Sequence, residues 1–411
     1  MESAEQLDSR VMSQTNVHHE PSALMIATHA VVQLEDSPLF NSGHGSVFTR
    51  DGINELEASV MVSRGHRKRG VGVTGLRHVR NPILLARKML EHGDEDLVSH
   101  TTGTRAVEGL DIPSAQGHTL LHGPAAEQLA STYELEMVDP SYFYTKKRWD
   151  EHIRALGRER AGKGSSTWTT EEYLPQGTCG AVAMDRNGCI CVATSTGGMT
   201  NKLTGRIGDT PVPGAGFWAE QWQEAGDPTG AGLVEVLSSA IQEAGPGVIL
   251  SEYMQSLLAN CIATLYTQPS SSTQHRLLKR GLHTTRAMGA SGTGNGDSFM
   301  RINALRTMAA MARWKPESSA KSVSHVAGPG GELQQSAGHR WGRTGEGEGG
   351  IIGIESVIVR DGSGRVVDTR SQIVMDYNCG GMYRAWIDDD GRDIMSVWSN
   401  AGPDEREGYW R

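Results

Sequence analysis

One stretch constrains this chain more than any other: Gly177 to Gly216, GTCGAVAMDRNGCICVATSTGGMTNKLTGRIGDTPVPGAG. Small apolar residues alternate from Ala181 to Met184, Asp185-Arg186-Asn187-Gly188 is a strong turn signal, and Cys189 to Thr194 is a second short β-branched run. That pattern predicts a β-hairpin. Before it stands Thr178, with Gly177 and Gly180 flanking the Thr178-Cys179 pair; after it come Thr194, Ser195 and Thr196, then Arg206 and Asp209. A buried strand rarely needs so many hydroxyls at its tip. A lone Gly-Thr would be an ordinary polar hairpin end, because two-residue matches arise everywhere by chance.

The whole stretch carries more. Its blocks G-T-x-G-A-V-A, T-S-T-G-G-M-T-N-K and G-R-x-G-D-x-P-x-x-G-A-G stand in one order and spacing. In this it resembles the plant-type asparaginase and isoaspartyl peptidase family of N-terminal nucleophile hydrolases. Two later blocks extend the resemblance: GASGTGNGDSFMR (Gly289 to Arg301) matches S-x-T-G-x-G-E-x-F-I-R, and NCGGMYRAW (Asn378 to Trp386) matches N-x-x-G-M-Y-R-x-W. Taken alone, the glycines of the first invite a phosphate-loop reading. That reading is weak, since the lysine of such a loop is missing and no strand-helix unit with a downstream acid surrounds it.

Composition narrows the alternatives. The 411 residues carry a net charge of -9, which argues against nucleic acid as a partner. The one basic cluster, Arg64 to Arg69, has no interleaved aromatic and reads as a solvated turn between strands. No apolar run reaches the length of a membrane span, and the polar N-terminus lacks an apolar h-region. The five cysteines are too few and too scattered for a disulfide framework or a zinc ribbon. Cys189 and Cys191 share a strand face as small core residues. A reducing, cytoplasmic setting fits best.

Along the chain, residues 1–20 read as disordered. A helix follows from Pro21, with Leu24, Ala27, Val31 and Leu34 on one apolar face, until Ser37-Pro38 breaks it. The irregular loop from Ser37 to Gly45 is either simply solvated, or its carbonyls converge on a hard cation. The resemblance implies the second: a structural sodium ion held by main-chain oxygens of Leu34, Glu35, Ser37, Phe40, Ser42 and His44, with Asn41 facing the active site. Strands are predicted at Glu55–Val62 and Val71–Leu76, and a helix opens at Asn81-Pro82. Residues 157–176 lack periodicity and read as a flexible linker. Residues 217–287 read mostly as an insertion covering a subunit edge. Strand periodicity returns near Thr285, followed by a helix from Asp297 to Trp314, a surface loop over 315–349, and strands at Ile352–Arg360 and Arg365–Thr369.

The chemistry follows once Thr178 is taken as a new chain end. A threonine hydroxyl is a poor nucleophile and needs a base within reach. A free α-amine on the same residue, which ordinarily titrates at about 7.7–8.0, is such a base, held covalently in place. No Ser-His-Asp arrangement is then required, despite fifteen histidines. The resemblance implies that Thr196 tunes the nucleophile, that the Thr293 hydroxyl and the Gly294 N–H hold the oxyanion, and that Gly296 lines the substrate pocket. It implies that Arg206 takes the substrate α-carboxylate and Asp209 its α-ammonium. Asparagine and β-aspartyl dipeptides are the substrates so implied, with no redox cofactor and no catalytic metal. The cut falls between Gly177 and Thr178, dividing one hydrolase domain into an α portion (21–177) and a β portion (178–411).

The fold so implied is α+β, a four-layer αββα sandwich, and the assembly a dimer of αβ heterodimers. The family's opening strand, ending in H-G-G-A-G, has no counterpart in the sequence. The chain therefore reads as an N-terminally truncated variant, arising either from a gene model that lost its 5′ end or as a truncated paralogue. Three functions stand at this point: a self-processing threonine amidohydrolase, a glycosylasparaginase-type amidase, and a non-catalytic member of the fold. The G-G-M-T-N-K run and the polar N-terminus speak against the second.

Overall fold

A computed structural model describes residues 21–96, 114–161, 177–225, 282–315, 318–388, 390–399 and 408–409. The first helix, α1 (Ala23–Asp36), is capped by Ser22, whose hydroxyl accepts from the Met25 N–H. Its buried stripe is Ala23, Leu24, Ala27, Thr28, Val31 and Glu35. Leu34, expected on that stripe, is only partly buried, and Glu35 takes the buried place beside it.

Strands β1 (Leu56–Val62) and β2 (Gly70–Leu76) lead to α2 (Pro82–Asp96), β3 (Leu120–His122), α3 (Gly123–Thr132) and α4 (Lys146–Arg160). The hairpin follows as β4 (Cys179–Met184) and β5 (Ile190–Thr196). Its turn is held by Asp185, whose Oδ1 accepts from the N–H groups of Asn187 and Cys189, while Gly188 supplies a φ of 73°. These five strands form one sheet in the order β3-β2-β1-β5-β4. β1 and β5 lie inside it and are buried along their whole length.

Side chains alternate across this sheet, as a pleated strand requires. Leu56, Ala58, Val60 and Val62 of β1, with Cys191 and Ala193 of β5, share a core with Leu24, Ala27 and Val31 of α1 and Ile83, Leu85 and Met89 of α2. Met61 and Val192 point the other way, onto Phe217 and Ala219. Those two belong to β6 (Phe217–Ala225), the first strand of a second sheet. Burying a residue such as Phe217 contributes on the order of 2–3 kcal/mol.

The second sheet runs β6-β7-β8-β9 with β7 (His283–Gly294), β8 (Gly349–Arg360) and β9 (Val366–Tyr377), all antiparallel neighbours. On its other face lie α5 (Gly296–Ile302), α6 (Ala304–Trp314), α7 (Ser319–Ala327) and α8 (Glu332–Ala337). There Phe299, Leu305, Met308, Val323, Val326 and Leu333 pack with Met288 and Ile351. A third sheet joins β10 (Gly381–Ile387), β11 (Asp393–Ser399) and β12 (Gly408–Tyr409). The fold class is α+β.

Four expectations need correction. The linker expected over 157–176 begins as helix, since α4 runs to Arg160; residues 162–176 lie outside the described residues, as do 1–20. The insertion expected over 217–287 is bounded by core strands, because β6 and the start of β7 pair from Phe217↔Ser291 to Ala225↔His283. Of that stretch, 226–281 lie outside the described residues. The loop expected over 315–349 contains α7 and α8, the first capped by Ser318, whose hydroxyl accepts from the Lys321 N–H. The helix expected from Asp297 to Trp314 is two helices, broken at Asn303 with φ 49°.

Candidate active site

The hairpin explains how Thr178 reaches its neighbours. β4 pairs β5 with Cys179 opposite Ser195 and Gly180 opposite Thr194. The last recorded pair, Cys179 with Ser195, leaves Thr178 next to the strand end and Thr196 next along β5. The alternation of the pleat then decides which way the hydroxyls face. Ser195 points to the helical side, where its Oγ donates to Glu35 Oε1 at 2.6 Å. Thr194 points to the other side, where its Oγ1 lies 2.9 Å from Ser291 Oγ on β7. Thr196, two residues on, shares that side with Thr194, and its Oγ1 accepts from the Gly198 N–H at 3.0 Å.

The same β7 ends at the oxyanion candidates. Thr293 Oγ1 is buried and has no hydrogen-bond partner among the described residues. It sits directly against Gly177: a Cβ added to Gly177 would stand 2.7 Å from that oxygen. The residue before Thr178 therefore touches an unspent hydroxyl. Gly294 has φ 149° and lies so close to the Glu348 carbonyl that a side chain there would overlap it. Cys179, beside Thr178, is no rival nucleophile, since burial pushes its thiol up to about 11.

A cluster of polar side chains adjoins this end of the sheets. Asp209 is buried, and a Cβ on Gly296 would be 2.5 Å from Asp209 Oδ1 and 3.1 Å from Arg206 Nη2. Arg206, Asp209 and Gly296 are thus brought together, and only a glycine leaves the two charged groups accessible from α5. Burial pushes the Asp209 carboxyl up to about 7, helped by the negative charge of Glu57 and held back by Arg206. Asp209 Oδ2 has no hydrogen-bond partner among the described residues. Arg206 is not a free fork: its Nη2 donates to Asp297 Oδ1 at 2.9 Å.

Asn41 ties the loop after α1 to the turn after Thr196. Its Nδ2 donates to the Gly198 carbonyl at 2.7 Å, its Oδ1 accepts from Val47 N at 3.1 Å, and its own carbonyl accepts from Gly197 N. In the loop, a Cβ on Gly43 would overlap the Glu35 carbonyl, and one on Gly45 the Phe40 carbonyl. Leu34 O accepts from Ser37 N and Ser42 O from Gly45 N. The buried Arg148 donates to the carbonyls of Gly45 and Leu39. Among the described residues no His, Cys, Asp and Glu side chains cluster as a metal site. Any cation in this loop would depend on main-chain oxygens.

A family model described as Asparaginase matches residues 5–117 and 111–243, together more than half of the chain. The chain belongs to this asparaginase family. Among curated relatives, an isoaspartyl peptidase of Escherichia coli (strain K12) is 38% identical over 219 residues, which are 53% of this chain and 60% of the relative. A plant-type L-asparaginase of Pyrobaculum calidifontis is 36% identical over 212 residues, 51% of this chain and 60% of that protein. The plant-type L-asparaginase of Pyrococcus furiosus is 36% identical over 255 residues, 60% of this chain and 74% of that protein. The chain spans about 60% of the length of the isoaspartyl peptidases it matches.

Two acidic side chains lie near Arg206 in this asparaginase-family site, Asp297 from the matched Gly289–Arg301 block and Glu57, which no motif places there, and a third, Glu35, lies on the opposite face of β5. Asp297 pairs with Arg206. Glu57, paired in register with Thr196, accepts from Thr74 Oγ1 and Gly208 N, and its Oε2 is buried without a hydrogen-bond partner among the described residues. Glu35, expected to act only through its main-chain oxygen, turns its carboxyl under β5, where burial pushes it up to about 8 against the Ser195 hydrogen bond. One signal is present for Glu57: an acid inside a mostly apolar, buried strand calls for a polar partner.

Proposed function

We propose that this chain is the core of a self-processing threonine amidohydrolase that cleaves L-asparagine to aspartate and ammonia and hydrolyses β-aspartyl dipeptides. The observation that carries the reading is the closeness of Gly177 to the Thr293 hydroxyl, with Thr178 immediately before the Cys179–Ser195 pair. The names of the relatives support the same chemistry, since isoaspartyl peptidases and plant-type L-asparaginases are among them.

In this mechanism the Thr178 hydroxyl first attacks the Gly177 carbonyl. The C–N bond breaks as the acyl group shifts to oxygen, which frees the Thr178 amine, and water then cleaves the ester to release the Gly177 carboxylate and the Thr178 hydroxyl. That amine then serves as general base for the same hydroxyl. In turnover Thr178 attacks the side-chain amide of the substrate, and the oxyanion is held by the Thr293 hydroxyl and the Gly294 N–H. The acyl-enzyme forms as ammonia or the second amino acid leaves, and water completes hydrolysis. Arg206 binds the α-carboxylate and Asp209 the α-ammonium, so both ends of the aspartyl moiety are read.

Cleavage need not separate the two portions. β1 lies before the cut and β5 after it, yet they pair from Glu57↔Thr196 to Val62↔Cys191. The four-layer αββα arrangement belongs to the same proposal, supported by helices on the outer face of each sheet and apolar contact between the sheets. A dimer of such αβ units completes it. The loop carbonyls of Leu34, Glu35, Ser37, Phe40, Ser42 and His44 would hold a sodium ion, and the glycine cradle at Gly43 and Gly45 fits that role. The ion would stiffen the loop that carries Asn41. A cytoplasmic setting is supported by the free thiols of Cys179, Cys189, Cys191 and Cys379. No described helix is long and apolar enough to cross a membrane.

The test is to express the chain, confirm cooperative unfolding, and follow the Gly177–Thr178 bond by intact mass alongside ammonia release from asparagine. Cleavage with activity is the expected result. A folded, uncleaved chain that hydrolyses asparagine would sink the mechanism.

A further inference from the structure

We propose that Asp297 is an internal competitor for the substrate carboxylate at Arg206, and so sets how tightly the pocket holds amino-acid ligands. This rests on the reading of Arg206 as the carboxylate-binding fork. The two partners differ in freedom. The Arg206 side chain is 18% exposed, whereas that of Asp297 is 58% exposed in the first turn of α5. Arg206 is the fixed member of the pair and Asp297 the one that can leave into water.

The charges around the guanidinium make the competition consequential. Glu57 and Asp209 lie on the buried side and Asp297 on the open side, so one guanidinium faces three carboxyl groups. Glu57 Oε2 and Asp209 Oδ2 are both buried and, among the described residues, without hydrogen-bond partners. An incoming α-carboxylate therefore exchanges with Asp297 instead of adding to it. The released Asp297 stays beside the pocket, where it is a second acceptor for the α-ammonium and a repulsive neighbour for ligands bearing an extra negative charge. The exchange leaves the number of ion pairs at Arg206 unchanged, so binding should depend little on salt. Without the Asp297 charge, binding creates a new ion pair that salt weakens.

The experiment measures L-aspartate binding by calorimetry to the cleaved protein, at low and at high sodium chloride, for the native chain, Asp297→Asn and Asp297→Ser. Both neutral variants should bind L-aspartate about two- to fivefold more tightly at low salt, the scale of one partly exposed ion pair. They should also lose affinity more steeply with salt. Asp297→Glu, which keeps the charge, should behave like the native chain. Native-like affinity and salt slope in both neutral variants would overturn the inference while leaving the substrate reading intact. No L-aspartate binding by any of the four proteins would overturn both.

Discussion

Gly177 rests against Thr293: a Cβ on the glycine would come within 2.7 Å of the threonine Oγ1, closer than real Cβ atoms approach a neighbour. A β-carbon at position 177 would therefore press on the Thr293 hydroxyl, which the proposed function makes an oxyanion donor. Gly177→Ala should force the hydroxyl aside and slow self-cleavage by at least tenfold, about 1.4 kcal/mol in the barrier. Melting should change little, because Gly177 lies outside the strands. Time-resolved intact mass of the variant checks this, and cleavage at the native rate would count against the assigned contact.

Thr178 has no built-in base while its nitrogen remains in a peptide bond. Thr178→Ala should therefore give a folded chain that neither cleaves nor releases ammonia from asparagine. Thr178→Ser keeps the hydroxyl and loses a methyl, so it should retain part of both. If the alanine variant still splits at this bond, another group is the nucleophile.

Asp209 gives the pocket a pH dependence. Its folded pKa is raised from 3.8 to about 7, so below pH 7 it is increasingly neutral and cannot hold an ammonium electrostatically. KM for asparagine should rise as pH falls through about 7, and Asp209→Asn should flatten that limb. For stability the sign is opposite. The folded state binds more protons than the unfolded state between these two values, so this group's contribution falls as pH rises from about 4 to 7. A pH-independent KM across the window would remove Asp209 from the ammonium site.

Much of this site is legible in the sequence because it is local in the chain. The hairpin turn at Asp185–Gly188, the hydroxyl run Thr194–Thr196 and the block from Ser291 to Gly296 each follow from neighbouring residues. What is not legible depends on chain segments far apart. The Arg206–Asp297 pair joins positions separated by 91 residues, and Ser195–Glu35 joins positions separated by 160. No local pattern announces either. The helices within 315–349 are masked by glycine and serine content, although Val323, Val326 and Ala327 keep a helical spacing and are buried. The strand at 217–225 escapes notice because the residues after it dominate the composition of that stretch, whereas the strand periodicity near Thr285 is visible in the sequence.

The two sheets meet through few large side chains, and Phe217 is fully buried between Met61, Val192 and Ala219. Phe217→Ala should cost about 3–5 kcal/mol through lost burial and a residual cavity. A chemical denaturation midpoint should fall accordingly. Because Thr194 and Ser291 bridge the same interface, self-cleavage should slow in this variant as the threonine strands lose their register against β7. A large loss of stability with cleavage unaffected would show that sheet contact does not position the cut.

Thr293 separates the chemistry from the architecture. Its hydroxyl is buried and has no hydrogen-bond partner among the described residues, at the end of β7, where register pairs it with Gly350. A buried hydroxyl without a partner is unfavourable in the resting chain, so Thr293→Val should be neutral or slightly stabilising. The same change removes a donor from the oxyanion site, where one donor is typically worth about 2.7–4 kcal/mol, or 10²–10³ in kcat. Protein already cleaved should therefore lose that factor in asparagine hydrolysis while KM, which the proposed function assigns to Arg206 and Asp209, stays near its native value. Uncleaved Thr293→Val should also mature slowly, because the proposed oxyanion donor near Gly177 is lost. Both measurements can be made on one preparation, by mass and by ammonia release. A native kcat in a fully cleaved Thr293→Val protein would place the oxyanion elsewhere, and would leave the contact with Gly177 as packing alone.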